Sequence, residues 1–344
     1  MAHDVKPISL LKLPDRAVLD VISNFCLMDK FSLSLLSSRS RNLIRLSHSK
    51  LPRRYKTVVN GIVHNEIFLT VGIEDNEQDG NTDELIISFI TTLPLSMARH
   101  RYHTLYKSRL RLCDNFGPTV ELWVDHLLWI MNQPAMGKMK FHELLWTDEL
   151  DTVGNTFGKH HELEIRDHMN NRSVRTLLKL IAPPKKLVLH YINLESHIDF
   201  NRLLTQNFDS LELIHLLTLD EILSTRASCL KVAVVRNFNF NRFLKLWLKN
   251  RTNTRLEYMH IVSRDRLNME RILNGIPNEV VNEPIIFDRA EDRYLYKNGE
   301  NRISVSRGWT ICRADGTKAT ISLGDDVENG PFEISFYSFS FYVW

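Results

Sequence analysis

The chain has 344 residues, 43% hydrophobic and 25% charged, with a formal net charge of +3. That balance supplies enough apolar surface for packed cores and excludes wholesale disorder. So small a charge also excludes a global pull toward nucleic acid or membrane, and the length predicts more than one structural unit.

The longest apolar stretches, Leu85 to Ala98 and Leu122 to Met131, are broken by Thr91, Thr92 and Pro94 or by Asp125 and His126. Neither reaches bilayer-spanning length. Asp4, Lys6 and Pro7 precede only a short apolar patch, unlike the long apolar core of a signal peptide. An intracellular protein, cytoplasmic or nuclear, is expected, with no membrane partner. Cys26, Cys113, Cys229 and Cys312 show no paired spacing, so reduced thiols are expected rather than zinc ligands or disulfides.

The first element in chain order is Leu10-Leu-Lys-Leu-Pro-Asp-Arg-Ala-Val-Leu. Pro14 suits a helix's first turn and Asp15 its positive dipole end. Val18, Leu19, Val21, Ile22 and Phe25 recur at spacings of three and four on one broad apolar face. A second helix is predicted after Asp29 as N-cap, with Phe31, Leu33, Leu35 and Leu36, ending at the polar break 37–41. A third holds Leu43, Ile44 and Leu46. So short a module rarely completes its own core, so it is expected to finish burying its apolar residues against another chain.

Leu13-Pro14, Val18-Leu19, Ile22, Phe25, Leu27 and Phe31 to Leu36 followed by Ser-Ser-Arg resemble the F-box, over about residues 6–50. The resemblance implies docking of the S-phase-kinase-associated adaptor, and through it a cullin, by Leu13, Pro14, Val18, Ile22 and Phe25. Arg16 stands where that family carries an acidic residue, and its late tryptophan is absent from 38–42.

No acidic residue lies between Lys30 and Asn65, a window holding Arg39, Arg41, Arg45, Lys50, Arg53, Arg54 and Lys56. Only Tyr55 interleaves it as a stacking residue, so a solvated helix end and linker is expected and nucleic acid is not the favoured partner.

Residues 51–140 read as a linking α/β region. Thr57 to Val63 and Glu66 to Val71 are rich in β-branched residues, and a hairpin turn is predicted at Asn60-Gly61. Glu74 to Glu84 reads as a loop before the strand-like Leu85 to Ile90.

From 141 to 275 an apolar-x-x-apolar-x-apolar pattern recurs: Phe141/Leu144/Trp146, Pro184/Leu187/Leu189, Phe208/Leu211/Leu213, Cys229/Val232/Val234 and Leu256/Met259/Ile261, with Leu163 and Ile165 as a partial copy. The middle positions lie 19, 24, 24, 21 and 27 residues apart, which is leucine-rich-repeat spacing. Helical signals fall between them at 173–181, 201–208, 218–224, 240–248 and 269–273. Thr218-Leu-Asp-Glu221 has capping-box form, and Phe240, Phe243, Leu244, Trp247 and Leu248 make an apolar stripe. The fold class predicted is α/β: a three-helix N-terminal module, then a leucine-rich-repeat-like α/β solenoid with C-terminal β-hairpins. Alternation puts Leu145, Glu164, Val188, Glu212, Ala233 and His260 on the strand side opposite the core, as candidate contacts for an unknown substrate protein.

Thr218 to Leu223, Phe240 to Lys249 and Arg255 to Ile261 resemble the F-box-associated type 2 domain, over about 190–262. That resemblance implies substrate recognition downstream of an F-box. Together the two imply a substrate-recognition adaptor of an SCF-type ubiquitin ligase. The alternative is a repeat scaffold binding protein or nucleic acid without a ubiquitin-ligase role.

Residues 285–344 read as a β-hairpin cap, with turns at Asn298-Gly299 and Asp315-Gly316 and an alternating aromatic final strand from Phe332 to Trp344. No catalytic, metal-ligating or cofactor-binding set is expected. His142-Glu-Leu-Leu-Trp146 and His161-Glu-Leu-Glu-Ile165 start like a zincin helix but lack the second histidine, and His100, His103 and His160 lack companion ligands. No phosphate-loop, dinucleotide or nucleophile-elbow motif occurs.

Overall fold

The computed structural model describes residues 10–49, 55–63, 66–75, 84–90, 99–106, 109–115, 120–141, 157, 160–166, 169, 171–180, 184–190, 197–214, 217–235, 238–288, 302–327 and 335–344. The chain divides into two units, 1–161 and 162–344.

In the first unit a single 3-10 turn, Leu10–Lys12, leads into α1 (Asp15–Ser23), α2 (Leu27–Ser34) and α3 (Ser38–Ser49). Pro14 is the N-cap of α1, with φ −56° and ψ 144°, so the pyrrolidine fixes the entry to the helix where no N–H is needed. The second helix starts earlier than its sequence signal. Cys26 is the N-cap, Leu27 is buried, and Asp29 sits in the first turn, where it accepts the Cys26 thiol at 3.2 Å. At the start of α3 the polar break is itself the cap. The Ser37 hydroxyl accepts the Ser40 N–H at 3.1 Å, and the Ser40 hydroxyl accepts the Ser37 N–H at 3.0 Å.

Val18, Ile22, Leu27, Phe31, Leu43 and Ile44 form the inside of this bundle, each at most 4% exposed. Part of the surface expected to be covered by another chain is covered by α4 (Val120–Ile130), from the linking region. Its Trp123 ring lies 5.4 Å from Phe31, and its His126 Nε2 is 2.9 Å from the Ser34 hydroxyl. Arg45 of α3 lies 4.9 Å above the Trp129 ring and donates to Asn132 Oδ1 at 3.1 Å. Apolar matching and a cation–π contact thus supply internally part of what a forty-residue module lacks.

Strands β1 (Tyr55–Val63), β2 (Glu66–Asp75), β3 (Glu84–Ile90), β4 (Arg99–Tyr106) and β5 (Arg109–Asn115) form an antiparallel meander in chain order. Strand β6 (Met136–Phe141) lies parallel to β1 on its other edge, with Gly61 opposite Met139. The turn expected at Asn60-Gly61 is displaced: both residues are mid-strand, opposite Thr70 and Leu69. β-branched residues on both sides keep this stretch paired, and the connection to β2 falls after Val63.

In the second unit β7 (His160–Ile165), β8 (Lys186–His190), β9 (Ser210–Ile214), β10 (Cys229–Val235) and β11 (Tyr258–Ser263) run parallel in chain order. Parallel neighbours require crossovers, and helices α5 (Asn171–Leu180), α6 (His197–Leu204), α7 (Leu219–Ser224) and α8 (Phe240–Leu248) provide them. The short α9 (Met269–Ile272) follows β11. Strands β9, β10 and β11 are entered through a repeated bond: the N–H groups of Asp209, Cys229 and Tyr258 donate to the carbonyls of Lys185, Asp209 and Ser228. The Thr218 capping box is present in full, with the Thr218 N–H donating to Glu221 at 2.7 Å.

Two apolar rows cross the sheet. Leu163, Leu187, Leu211, Leu230, Met259, Phe341 and Ile321 stand in register, all 0% exposed. Ile165, Leu189, Leu213, Val232, Ile261 and Phe339 make the next, none above 3% exposed. Here the repeat alignment is corrected. Leu230, not Val232, is the counterpart of Leu211 and Met259, so the fourth repeat is shifted by two residues.

The aromatic tail is β17 (Ser335–Val343), which pairs antiparallel with β11 and continues the sheet. Beyond it lie β16 (Lys318–Val327), β15 (Trp309–Cys312) and the two-residue β12 (Glu279–Val280). The β15–β16 hairpin turns at Asp315-Gly316 as expected, with Gly316 at φ +88°. The turn expected at Asn298-Gly299 lies outside the described residues; β14 (Arg302–Val305) pairs with β13 (Ile285–Asp288).

Trp247 of α8 is fully buried, edge-on to Phe341 at 5.1 Å, with the Arg313 guanidinium 5.0 Å from its ring centre. Its indole N–H has no acceptor among the described residues. Trp247→Ala is expected to cost about 3–5 kcal/mol through the cavity it leaves. Trp247→Phe is expected to cost less, because it removes the unsatisfied donor and keeps the aromatic contact. Denaturant unfolding of the three proteins at neutral pH measures both.

Candidate functional site

The N-terminal module presents its leading segment through one side chain. The Arg39 guanidinium, from the first turn of α3, donates to the carbonyls of Leu11 and Leu13 and to Asp15 Oδ1 at 2.7 Å. Both partners of the ion pair are at least half exposed, so the charge attraction alone contributes little. Its effect is positional, because the bonds to two main-chain carbonyls hold Leu13 and Pro14 against the bundle. Arg39 and Arg45, both in the acid-free window, are thus engaged within the chain.

Leu13 and Phe25 are half-buried and Pro14 is exposed. Val18 and Ile22 have no exposed surface, so their side chains belong to the module's own core and cannot touch a partner while it is folded. The apolar surface includes residues outside the expected adaptor contacts: Val21, Leu35 and Leu36, at 40%, 43% and 71% exposure. Val21 lies in α1, with Pro14 at the N-cap of that helix and Phe25 just past its C-cap Asn24. Leu35 and Leu36 lie just beyond the last turn of α2, where the apolar run outlasts the helix.

The second candidate set lies on the sheet. Glu164, Val188 and Glu212 stand in one cross-strand row, which continues through Lys231, His260 and Ser340. Lys231 occupies the place assigned to Ala233, because of the two-residue shift in β10. Leu145 lies outside the described residues. Burial also departs from an open surface: Glu164 is 4% exposed and Val188 is 5%, while Glu212 and His260 keep partial exposure. Glu164 Oε1 is 2.6 Å from Arg166 Nε and 3.4 Å from His190 Nε2. In the adjacent row Glu162 faces Lys186 at 3.4 Å. His260 Nδ1 is 3.0 Å from the Ser340 hydroxyl.

Part of this face is covered by the small sheet of β13 and β14. Phe287 stacks on Tyr342 at 4.7 Å and, with Val305 and Tyr258, forms a buried cluster bordered by Cys229 and Ile285. Glu164 and Val188 are themselves buried, and the partly exposed members of the row that were expected as contacts are Glu212 and His260.

His161-Glu-Leu-Glu-Ile165 lies in strand β7, so it lacks the helical geometry of a zincin as well as the second ligand. His160 is buried, with Nδ1 2.9 Å from the Phe157 carbonyl, and burial lowers its pKa. Among the described residues no group of three His, Cys, Asp or Glu side chains converges, and no helix is long and apolar enough to cross a membrane. Among those residues Cys26, Cys229 and Cys312 are not in disulfides.

Two histidines give the N-terminal module an acid limit. His48 is buried with neither ring nitrogen hydrogen bonded among the described residues, and burial, then Lys30, lowers its pKa to about 4. Burial, then Arg41, lowers that of His126 to about 4. Both groups fold neutral and unfold with pKa near 6.5, so their contribution is complete above that value and is lost as pH falls toward 4. The loss is on the order of 3 kcal/mol for His48. Thermal unfolding of the full chain between pH 7.5 and 4.5 is expected to show the decline, and His48→Leu is expected to reduce it.

The family model described as F-box associated matches residues 199–261. No curated protein and no solved structure matches the chain. The match begins within α6 and ends within β11, so it takes in the parallel strands β9, β10 and β11 and the helices between them. By that match the chain carries an F-box associated domain at residues 199–261.

Proposed function

We propose that the protein is a non-catalytic substrate receptor of an SCF-type ubiquitin ligase. Its N-terminal helices dock the S-phase-kinase-associated adaptor, and through it a cullin, while the second unit holds a target protein. The observation that carries this reading is the order of parts: a helical module with exposed Pro14, Val21, Leu35 and Leu36 precedes a segment matching the F-box associated family. Exposed apolar side chains of this size cluster where partners bind. The successive strand–helix units support the reading of the second unit as a leucine-rich-repeat-like solenoid, an architecture suited to protein recognition.

The internal use of Arg39 and Arg45 weighs against the nucleic-acid scaffold, because those charges already serve the fold. Within the docking surface, Leu13 and Pro14 are the testable centre. The double substitution Leu13→Ala, Pro14→Ala is expected to abolish co-purification with the adaptor while circular dichroism and the thermal midpoint stay close to those of the parent. Retained adaptor binding by the folded variant would rule out this interface.

A further inference from the structure

On the strand-entry side of the parallel sheet, three consecutive loops enclose an open cleft of about 550 Å³. They are the loops entering β9, β10 and β11, and they contribute Asn207, residues 223–227 and residues 250–255. The lining includes Arg226, Arg251 and Arg255 and no acidic residue. All three arginines are exposed, and none has an ion pair or side-chain hydrogen bond among the described residues. Asn207, Asn250 and Thr254 add exposed polar side chains.

The cleft is also rigidly built. Asn253, 8% exposed and held at φ 49°, donates from Nδ2 to the carbonyls of Ile222 and Thr225, both at 3.0 Å. The Thr252 hydroxyl donates to the Leu223 carbonyl at 2.7 Å. These bonds tie the loop entering β11 to the end of α7. They also occupy the carbonyls that would repel an anion at a helix C-terminus. Asn250, at φ 53°, turns the chain sharply after α8 and brings Arg251 into the cleft wall.

Unpaired guanidinium groups concentrated on a stiff concave frame match the geometry of phosphate recognition, where forked N–H donors meet oxygens in pairs. We propose that this cleft binds a phosphoryl group, with Arg226, Arg251 and Arg255 as its charged donors and Asn207, Asn250 and Thr254 as neutral ones. The phosphoryl group is carried either on a small soluble molecule or on a side chain of a protein. The site is independent of adaptor docking, since every residue lies in 207–255 and none in the N-terminal module.

The test is calorimetric titration of the full chain with inorganic pyrophosphate and, separately, with O-phosphoserine. Binding of either is expected, and it is expected to weaken as salt rises. Arg226→Gln, Arg251→Gln and Arg255→Gln are each expected to weaken it about tenfold or more. Arg271→Gln, an exposed change away from the cleft, is expected to leave it unchanged. Binding of pyrophosphate alone assigns a small soluble ligand, and binding of O-phosphoserine assigns a modified side chain. Absence of binding by both, or binding unchanged in the triple glutamine variant with an unaltered thermal midpoint, overturns the proposal. Adaptor co-purification of the triple variant is expected to be normal, which separates this site from the docking interface.

Discussion

The second unit depends on the registration of one buried apolar row across parallel and antiparallel strands. Leu163, Leu187, Leu211, Leu230 and Met259 continue without a break into Phe341 and Ile321. No single repeat buries these residues, because a strand and one short helix leave an apolar face on each side. Stacking removes those faces from water, and β17 does the same for the last of them. Phe339 and Phe341 lie against the α8 aromatics Phe240, Phe243 and Trp247, so the final strand completes the core as well as the sheet edge. An edge left at β11 would expose a line of unpaired main-chain groups.

That registration decides what the opposite face can offer. A slip of two residues keeps every apolar side chain on the core side, yet moves each polar side chain to a different row. In β10 it puts Lys231, rather than Ala233, between Glu212 and His260. Lys231 thereby stands beside Glu212 of the neighbouring strand.

Legibility in the sequence followed the strength of local signals. The α8 stripe and the Thr218 capping box were readable because several residues at fixed spacing agree on one helix and one start. The β15–β16 turn was readable because Asp315-Gly316 combines a positive-φ glycine with a carboxylate that accepts from Arg313 and Thr317. Asn60-Gly61 carries the same kind of signal and failed, because strong strand formers flank it and extended pairing outweighs a turn preference. The β10 register was not readable. Leu230, Val232 and Val234 all satisfy an apolar face, and the choice among them is made by main-chain bonds at the strand entry. The arginine cleft was missed for a related reason: Arg226 and Arg251 are 25 residues apart and come together only because successive repeats stack.

The N-terminal module shows the same division between local and nonlocal information. Pro14 and the spacing of Val18 and Ile22 specify α1, but not which apolar residues remain outside. That is settled by packing between helices: α3 lies against α1 and α2, and Trp123 and His126 of α4 cover Phe31 and Ser34. Val18 and Ile22 are core, and the apolar surface passes to Pro14, Val21, Leu35 and Leu36. A docking face defined by what a neighbouring helix leaves uncovered can shift while the core spacing stays unchanged. Arg39 then has a specific part: it holds Leu13 and Pro14 in place at the start of that face, where apolar packing alone would leave the segment free to fray.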